Sequence, residues 1–243
     1  MDALGLIKER FEALRVGEAP ICAECREEAS GRLSSPLLPW SVGKKFSSDQ
    51  YRLLFVGKTD RGLQGESIGG FRDRRDRARE HFLDKSWPFW SYTREIAEQL
   101  YELPADEAFE HVAMTNLVKC NDSDGADKTP DARVHRCVNE LGAFMAELEI
   151  INPARVIFYT GEHRSYARAI DSLRPQSKYE DSSNYGLMGH RLLEGSRPVP
   201  WWERTFFDQS NTPTVFFLRT GHPQGKKKNV FVAAILDWIR RVG

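Results

Sequence analysis

Residues 112–120 read V-A-M-T-N-L-V-K-C, from Val112 to Cys120. An apolar, β-branched run this short and this nearly unbroken is the pattern of a strand buried on both faces, as in a parallel sheet covered by helices. The strand is expected over Val112–Val118, with Asn116 near its end and Cys120 two residues beyond it. Three more runs share the pattern: Arg52–Val56, Arg155–Thr160 and Thr214–Arg219. Helical patterns alternate with them. The clearest starts at Pro130, with Thr129 as N-cap, and continues to about Ile150. Its apolar positions Val134, Cys137, Val138, Leu141, Phe144, Met145 and Leu148 recur at three/four spacing, which turns Cys137 inward. The last helix, from about Asn229 to Arg241, carries Val232, Ile235, Leu236 and Ile239 on one face. This alternation predicts an α/β fold: three layers, α/β/α, around a central four-stranded, mostly parallel sheet in a single domain spanning 1–243. Residues 61–86, dense in Gly, Arg and Asp, and 172–211, rich in Ser, Pro, Arg and Trp, are too long for simple connections and read as functional insertions.

The whole chain is 243 residues with 40% hydrophobic and 29% charged content, which is that of an ordinary globular protein with a substantial core. Its 35 basic and 35 acidic residues cancel, so only a local basic face could support nucleic-acid binding. The opening M-D-A-L-G-L-I-K-E-R-F is amphipathic and charged, unlike a signal peptide. No apolar run approaches the roughly 20 residues of a membrane span. A cytoplasmic, reducing setting is the expectation.

There are four cysteines: Cys22 and Cys25 as C-A-E-C, Cys120, and Cys137 with sixteen residues between the last two. Two close thiols and two distant ones suit four thiolates closing on one metal centre. Disulfides fit a reducing compartment poorly. The cysteine set alone leaves zinc and an iron–sulfur cluster both open.

Ligands of open parallel sheets bind beyond the carboxyl ends of the strands, where strand order reverses. Three polar groups lie at such ends: G-K-T-D-R-G from Gly57 to Gly62, Asn116, and T-G-H-P-Q-G-K-K-K, which carries His222 in a turn and Lys226, Lys227 and Lys228 at the next helix start. Each is also ordinary turn chemistry taken singly. The first run lacks the glycine spacing of a phosphate-binding P-loop, and no G-x-S-x-G elbow is present. His163 and His190 have no ligand-spaced partner and read as surface-loop residues.

C-A-E-C, F-V-G-K-T-D-R-G, T-N-L-V-K-C, the second cysteine with I-I-N-P-A-R-V-I-F-Y-T-G, and G-H-P-Q-G occur in an order that resembles the iron–sulfur (family 4-like) branch of the uracil-DNA glycosylase superfamily. The likeness runs in outline from about Cys22 to the C-terminus and is most specific between Thr115 and Gly161. It implies a monomeric DNA-binding enzyme with a four-iron–four-sulfur cluster on Cys22, Cys25, Cys120 and Cys137, zinc becoming the lesser alternative. It implies a base pocket with Gly57 at the first motif, Asn116 reading the base edge, Phe71 of G-G-F-R stacking on the base, and His222 stabilising charge on the departing base. The first motif departs from the branch: Pro is missing, Thr59 takes the usual catalytic slot, and the carboxylate falls one place later at Asp60. The His222 turn reads H-P-Q-G where the branch has H-P-S.

The resemblance implies an enzyme that flips a base out of DNA and hydrolyses its N-glycosidic bond, leaving an abasic site. Asp60 would orient water and stabilise the cationic sugar. Lys226, Lys227 and Lys228, with Arg72, Arg74 and Arg75 of the first insertion, would grip phosphates. The altered motif and insertion point beyond plain uracil, to a base such as a modified phage cytosine. Two other readings stand beside this one: a DNA-binding or damage-sensing protein of the same fold that has lost hydrolysis, and a zinc protein with no nucleic-acid role.

Overall fold

A computed structural model describes residues 2–30, 33–60, 70–121, 129–160, 163–174, 179–185, 189–191, 193 and 198–242. The elements in chain order are α1 (Ala3–Ala13), α2 (Pro20–Glu28), β1 (Ser41–Val42), β2 (Leu53–Gly57), α3 (Arg75–Asp84), α4 (Pro88–Tyr101), α5 (Ala105–Ala108), β3 (Val112–Asn116) and α6 (Asp131–His135). They continue as α7 (Ala143–Ile151), β4 (Arg155–Tyr159), α8 (Arg164–Asp171), β5 (Tyr179–Tyr185), β6 (Gly189–Arg191), β7 (Val199–Asp208), β8 (Pro213–Thr220) and α9 (Lys228–Arg241).

The four expected strands are present and mutually parallel, in the order β3-β2-β4-β8. They are only the middle of the sheet. Antiparallel β1 pairs with β3 at one side, and at the other antiparallel β7 pairs with β8 and carries β5 and β6. The sheet is therefore mixed, and much of the expected insertion 172–211 becomes its far edge. His190, expected on a loop, falls in β6. Residues 61–69 of the other expected insertion lie outside the described residues.

Side-chain alternation explains how the sheet is covered. On β2, Leu53 and Phe55 enter one apolar core with residues of α3, α4 and α9, while Leu54 and Val56 enter a second core with residues of α1, α6, α7 and α8. β7 alternates likewise: Trp201 joins the first core, Trp202 and Phe206 the second. Each fully buried side chain of this size contributes about 1.5–3 kcal/mol.

The expected helix from Pro130 to Ile150 is broken. Pro130 is the N-cap of α6 without a side-chain capping bond, so Thr129 does not cap. Arg136–Glu140 widens into a π-helical turn, and Gly142 at φ +71° resets the chain before α7. The seven apolar positions still share one core. The π-turn inserts the extra residue that a continuous 3.6-residue period would have rotated off that face.

Among the described residues no helix is long and apolar enough to cross a membrane.

Candidate base pocket and cysteine site

β2 is flanked by β3, which follows it, and by β4, which comes next, so the chain reverses its direction of travel across the sheet at β2. The crevice beyond the carboxyl end of β2 is therefore the expected place for a ligand. Gly57 and Asn116 close these two strands as register partners. A Cβ at Gly57 would overlap the Asn116 amide and stand 3.3 Å from the ring of Phe89. Only glycine lets the strand end approach the amide this closely.

Asn116 is buried and fixed. Its Oδ1 accepts from the indole Nε1 of Trp40 and from the backbone N–H of Asp60, both at 3.1 Å. This orientation turns Nδ2 toward Gly57 and Phe89, so what Asn116 offers the crevice is a donor. The strand-end turn is tied to the loop after β3: the Thr59 hydroxyl donates to the Cys120 carbonyl at 3.4 Å, and Asn121 Nδ2 donates to the Asp60 carbonyl at 2.6 Å.

Asp60 is only 7% exposed. Its Oδ2 lies 2.6 Å from Arg72 and 3.1 Å from Arg74. Burial pushes the carboxyl up from its ordinary 3.8, against the opposing pull of those two guanidiniums. Arg72 is further held by donating from Nε to the Ser35 carbonyl at 2.6 Å. Arg72 and Arg74 thus face inward onto the carboxylate rather than outward as a phosphate grip. Arg75 is exposed and pairs with Asp73 and Asp2.

Phe71, the expected stacking ring, is partly buried against the second core. It packs on Phe11 of α1, ring centroids 5.7 Å apart, and lines a cavity of about 600 Å³ with Ser35, Leu38 and Cys120. The ring against Gly57 is Phe89, on the first turn of α4, edge-on to Trp90 and Tyr159. The W-P-F-W run was the legible part of it: a proline at the first helical position starts α4 and puts Phe89 in its first turn.

The same helix borders the His222 turn. Tyr92 donates its hydroxyl to the Lys226 carbonyl at 2.7 Å, and Lys228 pairs with Glu95 at 2.6 Å. Lys227 is the N-cap of α9. The Gln224 backbone N–H donates to His222 Nδ1 at 3.1 Å, so the neutral ring carries its proton on Nε2 and presents a donor. His163 is not isolated: its Nε2 lies 3.1 Å from Lys58 Nζ.

A buried ion pair that the sequence reading missed supports the strand end. Lys119 donates to Glu147 Oε2 at 2.5 Å, to Thr115 Oγ1 at 3.0 Å and to the Asn116 carbonyl, and neither charged side chain reaches solvent. Burial raises the Glu147 carboxyl, which Lys119 opposes. A glutamate on the otherwise apolar face of α7 was the legible sign.

Cys22, Cys25, Cys120 and Cys137 line one small cavity, walled by Val16, Ile21, Val118 and Leu141 and flanked by Arg133 and Arg136. Burial and the neighbouring thiols push Cys120 far above its ordinary 9.0. Burial also pushes Cys137 up, to about 11, with Cys22 and Cys25 adding to it. The Gly17 N–H donates to Cys22 Sγ at 3.3 Å, and Arg136 reaches Cys25 Sγ at 4.0 Å while pairing with Glu28. Among the described residues no group of three or more His, Cys, Asp or Glu side chains is arranged to hold a single metal ion. The thiols stand around a shared space.

No protein-family model matches the chain, and a comparison with curated proteins returns no match.

Proposed function

We propose that this chain is a DNA glycosylase of the uracil-DNA glycosylase type that takes an extruded base beyond the end of β2 and hydrolyses its N-glycosidic bond. The observation that carries the reading is the meeting of three groups at the carboxyl end of β2. Gly57, the fixed amide of Asn116 and the ring of Phe89 converge at the strand-order reversal, leaving a side-chain donor and an aromatic ring together. A flat heteroaromatic ring needs that pairing: stacking on its face and a hydrogen bond at its edge. Phe89 takes the stacking role in place of Phe71. His222 Nε2–H donates to the base as negative charge develops on it, and Asp60 stabilises the positive sugar. The altered first motif supports a target other than uracil, such as a modified cytosine.

The cysteine site fits a four-iron–four-sulfur cluster. Four thiols around one apolar space, Cys25 buried and the other three half-buried, with Arg133 and Arg136 at its edge, suit an anionic cluster with a thiolate at each corner. Cys22, Cys25, Cys120 and Cys137 would hold it, and bound there it would act as a staple between α2, the exit of β3 and the π-turn. The inward pairing of Asp60 favours a second reading, a DNA-binding protein of this fold with weak or no hydrolysis.

One preparation tests these readings. Protein absorbing near about 400 nm, as an iron–sulfur centre does, is incubated with duplexes bearing uracil or modified cytosines, and abasic sites are scored in single turnover. Release of a modified base is the expected result. Uracil release as the dominant activity would sink the altered specificity. Tight binding without release from any duplex establishes the second reading.

A further inference from the structure

We propose that Trp87 is a stacking platform for an unpaired nucleobase next to the one held in the crevice, an inference that rests on the glycosylase reading. Large apolar side chains of the described residues are buried with few exceptions, and Trp87 is the most exposed of them at 56%. An exposed indole of this kind is ordinarily a loose surface ring. This one is braced. His81 meets it at 5.3 Å and 68°, Trp90 meets His81 at 5.3 Å and 75°, and Trp40 meets Trp90 at 5.2 Å and 88°. Successive near-perpendicular contacts form a stiff ladder, so the outermost ring loses little freedom when something stacks on it.

The inner end of the ladder leads to the crevice. The Trp40 indole N–H fixes Asn116, and Phe89, which meets Trp90 edge-on at 5.1 Å, stands 3.3 Å from where a Cβ at Gly57 would lie. A base on Trp87 would therefore belong to a strand whose neighbouring nucleotide is in the crevice. The surroundings suit nucleic acid. Lys85 Nζ lies 5.8 Å from the Trp87 ring while pairing with Glu80 at 3.7 Å, and the exposed Arg77 acts electrostatically on His81. Burial, then Lys85, holds the His81 imidazole below its ordinary 6.5, so the rung behind Trp87 stays uncharged at neutral pH and packs as an aromatic. An apolar protein surface would dock poorly among these cations, whereas a base tethered to phosphates meets ring and charge together.

The probe is an oligonucleotide carrying 2-aminopurine beside a tetrahydrofuran abasic analogue, which needs no base release. Wild type and Trp87→Phe are expected to quench its fluorescence on binding. Trp87→Ala should abolish the quenching and weaken binding by about 10- to 100-fold, the loss of one stacked base. Quenching that persists in Trp87→Ala, or an unchanged Kd, overturns the proposal. Base release is scored separately on the same proteins. Quenching without release leaves the platform standing and removes the hydrolytic reading, while release by wild type with no effect of Trp87→Ala on the probe removes the platform alone.

Discussion

Asp60 carries the sharpest conflict between two roles. A carboxylate that orients water must be ionised and reachable, whereas one bridged to Arg72 and Arg74 at 2.6 and 3.1 Å works as an internal clamp. Its titration separates the roles. Because burial raises its pKa above 3.8, the folded protein holds this proton more tightly than the unfolded chain does. An activity that needs the carboxylate is lost as pH falls through that raised value, at higher pH than for an exposed aspartate. Asp60→Asn keeps the shape and removes the charge. It should lower base release by about 10²–10⁴-fold and flatten the acid limb of the kcat/KM–pH profile. An Asp60→Asn protein that melts earlier yet releases base at the wild-type rate would assign Asp60 to the clamp alone. The residue's place at the rim was legible from its position after a strand. Its partners were not, because Arg72 and Arg74 are twelve and fourteen residues away in a run that reads equally well as a solvated basic face.

At the scale of elements, the break at Gly142 joins the cysteine site to the core. The π-turn Arg136–Glu140 presents Cys137 to the shared cavity while α7 keeps Phe144 and Leu148 in the apolar core. Nothing lies within 4 Å of a Cβ built at Gly142, so a substitution there meets only the backbone cost of φ +71°. Gly142→Ala should destabilise the protein by about 1–2 kcal/mol, read as a lowered denaturant midpoint with an unchanged slope. Gly142→Asn should lose less, because asparagine tolerates this conformation better. An unchanged midpoint in Gly142→Ala would show that the turn adapts and that the glycine is not what sets it. Elements with a strong period were legible: β2, β3, β4 and β8 as continuous apolar runs, α9 as one stripe. Strands β5 to β7 were not: β5 and β6 are mostly polar and read as loop, and β7, which pairs with β8, is what gives them an edge to pair with. The helix break was hidden for a different reason. A three/four pattern records which face is buried but not an inserted residue that restores the same face.

For the whole molecule, zero net charge limits how DNA could be held. Long-range attraction contributes little, so affinity would rest on a few local phosphate contacts and on stacking. With Arg72 and Arg74 facing Asp60, the proposed phosphate path moves to the turn before α9. There Lys226 and Lys227, at the start of α9, are the proposed phosphate contacts, beside Lys228, which pairs with Glu95. Each phosphate contact on duplex DNA contributes about −0.9 to the slope of log K against log salt. A chain held this way should show a slope of only about −2 to −3, and the Lys226→Gln/Lys227→Gln double variant should bring it about 2 units closer to zero. Lys228→Gln alone should shift it less, because its removal also releases Glu95. Fluorescence anisotropy across a salt series measures all three. A steep wild-type slope that the double variant leaves intact would put the phosphate path on another face, with the exposed Arg75 and Arg77 of α3 next in line. That face borders Trp87, so the strand would then cross the crevice from the α3 side, with its phosphates on those arginines and its neighbouring base on the exposed indole.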